Sequence, residues 1–166
     1  LISGNIPFKW QYGSQTELNV SSCINDGAPN DFDTFDGASA TGFHAISTGG
    51  GGSGQYAGTA DELVFETGKA YRATFTATLT SGDVPYVFPA FSHSNTTVIS
   101  DIGVSTAVTA GANVVDFIIT TGTTGVLSFQ NLAGNATEFT IADLGVHPLG
   151  ATLLMTQDSI SETVWY

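Results

Sequence analysis

Positive charge is what this chain has least of. Its 166 residues include three Lys/Arg (Lys9, Lys69, Arg72) against fifteen Asp/Glu, a net charge of −12. Phosphate backbones are bound by clustered positive charge, so nucleic acid is excluded as a partner, and a membrane surface of anionic lipid is disfavoured for the same reason. Charged residues of both signs reach only 11%, so solubility rests on Thr, Ser, Asn and Gly together with the net negative charge. Such a hydroxyl-rich surface suits extracellular or virion proteins. Cys23 is the single cysteine. It rules out an internal disulfide and reads as a buried or idle thiol, because no neighbour suggests the base a nucleophile needs. No run approaches the ~18 apolar residues that cross a membrane. The opening LISGNIPFKW has no basic stretch followed by an apolar one, and no initiator Met; the expectation is a cut, processed or partial chain without a visible signal peptide.

Helical periodicity is also missing. Apolar residues recur at period two, not 3.6. In KAYRATFTATLT, Tyr71, Ala73, Phe75, Ala77 and Leu79 fall on one side and Arg72, Thr74, Thr76 and Thr78 on the other, the pattern of a half-buried strand. Stretches near 42–48, 61–67, 84–92, 102–108, 113–120, 125–131 and 137–146 read as further strands, separated by turn formers such as TSGD, TTGTTG and LAGNA. The fold class is therefore all-β: an antiparallel β-sandwich, a jelly roll, with no substantial helix. Pro85 and Pro89 make their segment an edge or bulged strand. At 166 residues with 42% apolar composition, one domain with a core of its own is expected. We divide the chain into an N-terminal arm or edge segment (1–34), the sandwich (35–148, its sheet closing near Val146 before Pro148), and a C-terminal connector or subunit-contact arm (149–166). In that arm the apolar Leu153 and Leu154 suit a sheet edge or a neighbouring subunit, and Trp165 and Tyr166 read as packing anchors.

Few motifs carry chemistry. Gly49, Gly51 and Gly54 match G-x-G-x-x-G, but a strand pattern follows where a dinucleotide site needs a helix; TGGGGSGQYAG reads as a flexible surface loop. His44, His93 and His147 are isolated, without zinc-site spacing. Asp31, Asp33 and Asp36 form the densest acidic cluster and are candidate calcium ligands, the alternative being a solvated acidic turn. No Ser-His-Asp ordering stands out, so an enzyme is not expected. Sugar binding on a sandwich relies on exposed aromatics flanked by hydrogen-bonding groups. Tyr56, Tyr86, Phe91 and His93 are the candidate glycan contacts, with Phe88 or Phe91 assigned to the core.

The stretches ETGKAYRATFTATLTSG and GVLSFQNLAGNATEFTIADLGVHPLG resemble the carbohydrate-binding-module-like jelly rolls of tailed-phage fibre and virion proteins. The matching positions are Gly68, Lys69 and Tyr71; Phe129 and Asn131; and Phe139, Ile141, Asp143 and Val146. The resemblance covers roughly residues 35–148. It implies a sandwich used in virion attachment or assembly, often as a homotrimer. The expected function is thus a non-enzymatic module of a phage tail fibre or capsid fibre, located in the virion, with other virion proteins and a host surface glycan as partners and no cofactor beyond calcium. A secreted carbohydrate-binding module attached to a polysaccharide-degrading enzyme, and a capsid decoration protein, are the alternatives. Sugar-binding members present Trp or Tyr on a concave face, whereas Trp10 and Trp165 here fall outside the matched stretch, so the resemblance implies the scaffold role first.

Overall fold

A computed structural model of the chain describes residues 9–12, 17–25, 31–49, 54–60, 63–91 and 106–154, and of these 9–12, 90–91 and 151–154 by backbone alone. Among the described residues there are thirteen strands and no helix: β1 (Lys9–Tyr12), β2 (Cys23–Asn25), β3 (Thr34–Ser39), β4 (Gly42–Thr48), β5 (Gln55–Thr59), β6 (Leu63–Val64), β7 (Ala70–Gly82), β8 (Tyr86–Phe91), β9 (Thr106–Ala107), β10 (Gly111–Ile118), β11 (Thr124–Asn131), β12 (Ala136–Leu149) and β13 (Ala151–Leu154). A five-stranded sheet runs β10-β7-β12-β4-β3, and a six-stranded sheet runs β2-β5-β11-β8-β9 with β6 added to β11. Their pairings are all antiparallel. The two sheets form the expected sandwich. Backbone pairing of β1 with β13 makes a separate two-stranded sheet, with Leu153 opposite Trp10 and Leu154 opposite Lys9. Trp165 and Tyr166 lie outside the described residues.

The core is built from phenylalanines that meet between the sheets. Phe129 on β11 is fully buried. Its ring packs edge-on against Phe75 of β7 at 5.1 Å and Phe43 of β4 at 5.5 Å. Phe43 continues to Phe139 of β12 at 5.9 Å, and Phe139 to Phe32 at 5.5 Å. Each such T-shaped pair adds about 0.5–1.5 kcal/mol beyond the area it buries. A second cluster holds the other end: Tyr71, opposite Phe117 in register, stacks on it at 5.8 Å, and Phe65 sits edge-on to both. The β7 alternation is as expected, with Tyr71, Ala73, Phe75 and Ala77 buried and Arg72 and Thr78 exposed.

Three details depart from the sequence reading. Gln55–Thr59 is a strand and not part of a loop. Glycine lets it press against β11, since a Cβ on Gly58 would lie 2.1 Å from the Leu127 carbonyl oxygen. Of the two phenylalanines of β8, Phe88 is not core: Val87 points inward and Phe88 is half-buried opposite Ser128 on the outer face. Finally, β12 does not stop before Pro148 but continues to Leu149. Val146 turns its carbonyl to Leu18, away from β7. Pro148, two residues on, has its missing N–H on that same side, so no β7 bond is lost. Asp143 takes a positive φ of 53° inside the register shift between Ala142 and Gly145, a conformation that Asp tolerates better than most residues. The bulge expected around Pro89 is present as a register shift between Val126 and Ser128, where Phe88 and Phe91 pair with β11.

Replacing Phe129 with Ala should destabilise the protein by about 3–5 kcal/mol, measured as a drop in the urea midpoint at unchanged m-value. A loss under 1 kcal/mol would show that the sheets are held together elsewhere.

Candidate functional site

Antiparallel register decides which side chains share a face, because residues directly opposite one another point the same way. Gln130 of β11 lies opposite Tyr56 of β5 on one side and Tyr86 of β8 on the other. The three form one row across the outer face of the six-stranded sheet, with the tyrosines two strand spacings apart, about 10 Å. Each is half-buried. The Gln130 amide Nε2 donates to the Tyr56 hydroxyl at 2.8 Å, which ties the amide to one ring. The Gly-rich stretch ends against the same amide, where a Cβ on Gly54 would lie 2.6 Å from Nε2. Only glycine leaves Gln130 its place.

The next row on this face reads Ile24, Gly58, Ser128 and Phe88. Ile24 is 41% exposed, Gly58 is buried, and the Ser128 hydroxyl is buried with no hydrogen-bond partner. A buried polar atom left unpaired costs about 1–3 kcal/mol relative to a satisfied one, so an orphan of this kind marks a place for water or a ligand. Neither row holds a carboxylate, imidazole or thiol. Cys23 lies on the inner side of β2, 2% exposed, and burial pushes its thiol up to about 11, which suits it to packing and not to nucleophilic chemistry.

Of the four candidate glycan contacts, the structure thus brings Tyr56 and Tyr86 together around Gln130. The Phe91 backbone pairs with Val126 further along β8, and His93 lies outside the described residues. Sequence reasoning missed Gln130 and Ser128. Their signal was the polar–apolar alternation of LSFQN, legible only once the β5–β11–β8 pairing is known.

The candidate calcium ligands do not converge. Among the described residues no three His, Cys, Asp or Glu side chains are placed to hold a metal ion. The Asp33 carboxylate accepts from the Thr48 backbone N–H at 2.6 Å and the Thr48 hydroxyl at 2.8 Å. The Asp36 carboxylate meets His44 at 3.2 Å, on the outer face of the other sheet. Asp31 takes part through its carbonyl, which accepts from Gln55 at 2.7 Å. In an extended chain these residues are drawn to different partners. Two surface pockets, of about 360 and 240 Å³, flank Thr41 between Leu18, Leu144 and His44; neither includes the tyrosine row.

No family model matches the chain, and no curated protein matches it. Among solved structures it is similar to the enzymatically active domain of bacteriophage CBA120 tailspike protein 4, at 13% identity and a TM-score of 0.44 over 84% of this chain and 19% of that one. It is also similar to a structure described as "CBM4 structure and function", at 16% identity and a TM-score of 0.36 over 82% of this chain and 81% of that one. The chain spans about a fifth of the length of the tailspike chain.

Hydrogen bonds from Thr48 hold the Asp33 carboxyl below its ordinary value of 3.8. A lowered folded pKa stabilises the protein at pH values above the unfolded one, about 3.9, and that contribution is lost as pH falls through the folded value. Asp33→Asn should therefore lower the melting temperature at pH 7, and the gap to the native protein should close as the pH drops below about 4. Because the three carboxylates do not gather, a chelator should leave the native melting temperature unchanged; a calcium-dependent rise would overturn that placement.

Proposed function

We propose that this chain is a non-enzymatic β-sandwich module of a virion fibre that holds a host surface glycan on the outer face of its six-stranded sheet. The observation that carries the binding role is the Tyr56–Gln130–Tyr86 row. Two aromatic rings flank the Gln130 amide, which would meet sugar hydroxyls between them. Aromatic faces with a few fixed polar groups are the means by which proteins hold sugars at modest cost in side-chain entropy. Neither row holds a carboxylate, imidazole or thiol, which supports binding without catalysis. The virion setting and a homotrimeric assembly rest on the motif resemblance from Gly68 to Val146, and so does the association with other virion proteins.

Affinity gels or a glycan array test the site directly. Tyr56→Ala and Tyr86→Ala should each weaken retention on the order of tenfold, about 1.4 kcal/mol, with the melting temperature little changed because both side chains sit outside the core. Retention that neither substitution alters would remove this face from the binding role.

A further inference from the structure

We propose that the glycan held on the Tyr56–Gln130–Tyr86 row is uncharged, and that sugars bearing carboxylate, sulfate or phosphate are excluded; this rests on the binding role proposed above. An anionic sugar substituent is held most strongly by a guanidinium, an ammonium or the N-terminus of a helix. The described residues contain no helix, and the whole chain has three permanent cations. Arg72 lies on β7, in the other sheet, with Nε and Nη2 each 2.7 Å from a carboxylate oxygen of Asp116. Lys69 sits in the turn between β6 and β7, where Phe65 bonds the Thr123 carbonyl just ahead of β11. Gln130 is at the far end of that strand, about 20 Å along. Lys9 belongs to β1, in the two-stranded sheet. The segments that border the row in sequence, 26–30, 50–53, 61–62 and 92–105, contain no Lys or Arg and add Asp26, Asp61, Glu62 and Asp101.

The exposed or half-buried groups of these two rows are neutral on every strand: two phenols, an amide, and the apolar Ile24 and Phe88. They match a ligand with alternating apolar ring faces and hydroxyls. An anionic ligand would meet no counter-charge here and would approach a molecule of net charge −12, a repulsion that acts over a Debye length of about 10 Å at moderate salt.

The test is a panel of soluble neutral polysaccharides (dextran, galactomannan, mixed-linkage β-glucan, xylan) and anionic ones (polygalacturonate, hyaluronan, dextran sulfate), run by affinity electrophoresis on the full chain. The pH is set at 8, so that histidine is neutral, with chelator present so that no cation bridges. A neutral polysaccharide should be retained to the same extent at low and high ionic strength. Its carboxymethylated derivative should bind at least tenfold more weakly at low salt and recover partly at high salt. Stronger retention of an anionic polysaccharide than of every neutral one, abolished by Tyr56→Ala, would overturn this inference while leaving the binding face intact. Retention of neither class would overturn the binding role and this inference with it.

Discussion

The inward turn of Phe129 is the constraint on which the rest hangs. A strand alternates its side chains, so one residue locked into the core determines the direction of its neighbours on either side. Phe129 is held between Phe75 and Phe43 of the opposing sheet, and Ser128 and Gln130 are thereby turned outward. The pairings to β5 and β8 carry that parity sideways, placing Tyr56 and Tyr86 beside Gln130. A slip of one residue in β11 would bury the amide and expose the ring, at a cost of several kcal/mol for the lost aromatic burial alone. The face proposed for recognition is thus a consequence of packing on the reverse side of the same strand.

Local pattern explains which parts of this were legible. β7 could be read because threonine on one face and aromatics on the other leave little ambiguity, and β10, β11 and β12 follow the same rule within a few residues. β5 could not: QYAGT is too short and too small to show a period, and its glycine serves a partner, Leu127, nearly seventy residues away. The same non-locality hid Gln130, whose neighbours come from residues 56 and 86. The acidic cluster misled in the opposite sense. Asp31, Asp33 and Asp36 are close in sequence, but the Asp33 carboxylate is taken by Thr48 and that of Asp36 by His44, and no three such side chains gather to hold a metal among the described residues. Pro148 marked a stop only under the assumption that both sides of β12 are paired.

The scarcity of cations has a structural counterpart. With so few charges, the outer face of β7 is lined by threonine and that of β10 carries the exposed Val114 and Ile118, and the one guanidinium is matched bidentately by Asp116, whose carboxyl is held below the ordinary range by that partner. His44 lies between Asp36 at 3.2 Å and Glu138 at 3.5 Å. The charged groups of this sheet are therefore largely engaged with one another, while the six-stranded sheet presents a face of neutral groups. The two sides of the sandwich differ in chemistry although they share one core.

A site carried on strands behaves differently from one carried on loops. Tyr56, Gln130 and Tyr86 are held by ladder hydrogen bonds on the backbone and by a fully buried layer beneath, so the proposed binding would require little ordering. Tyrosine adds large contact area with only two side-chain torsions to fix. Because the core lies on alternate residues, the outer row can change identity without touching Phe129, Leu127, Ala57 or Val87. Fold and the proposed specificity are then separable along the same three strands: substitution at Gln130 would alter what the face can hold, and substitution at Leu127 or Phe129 would alter whether the sheets stay together.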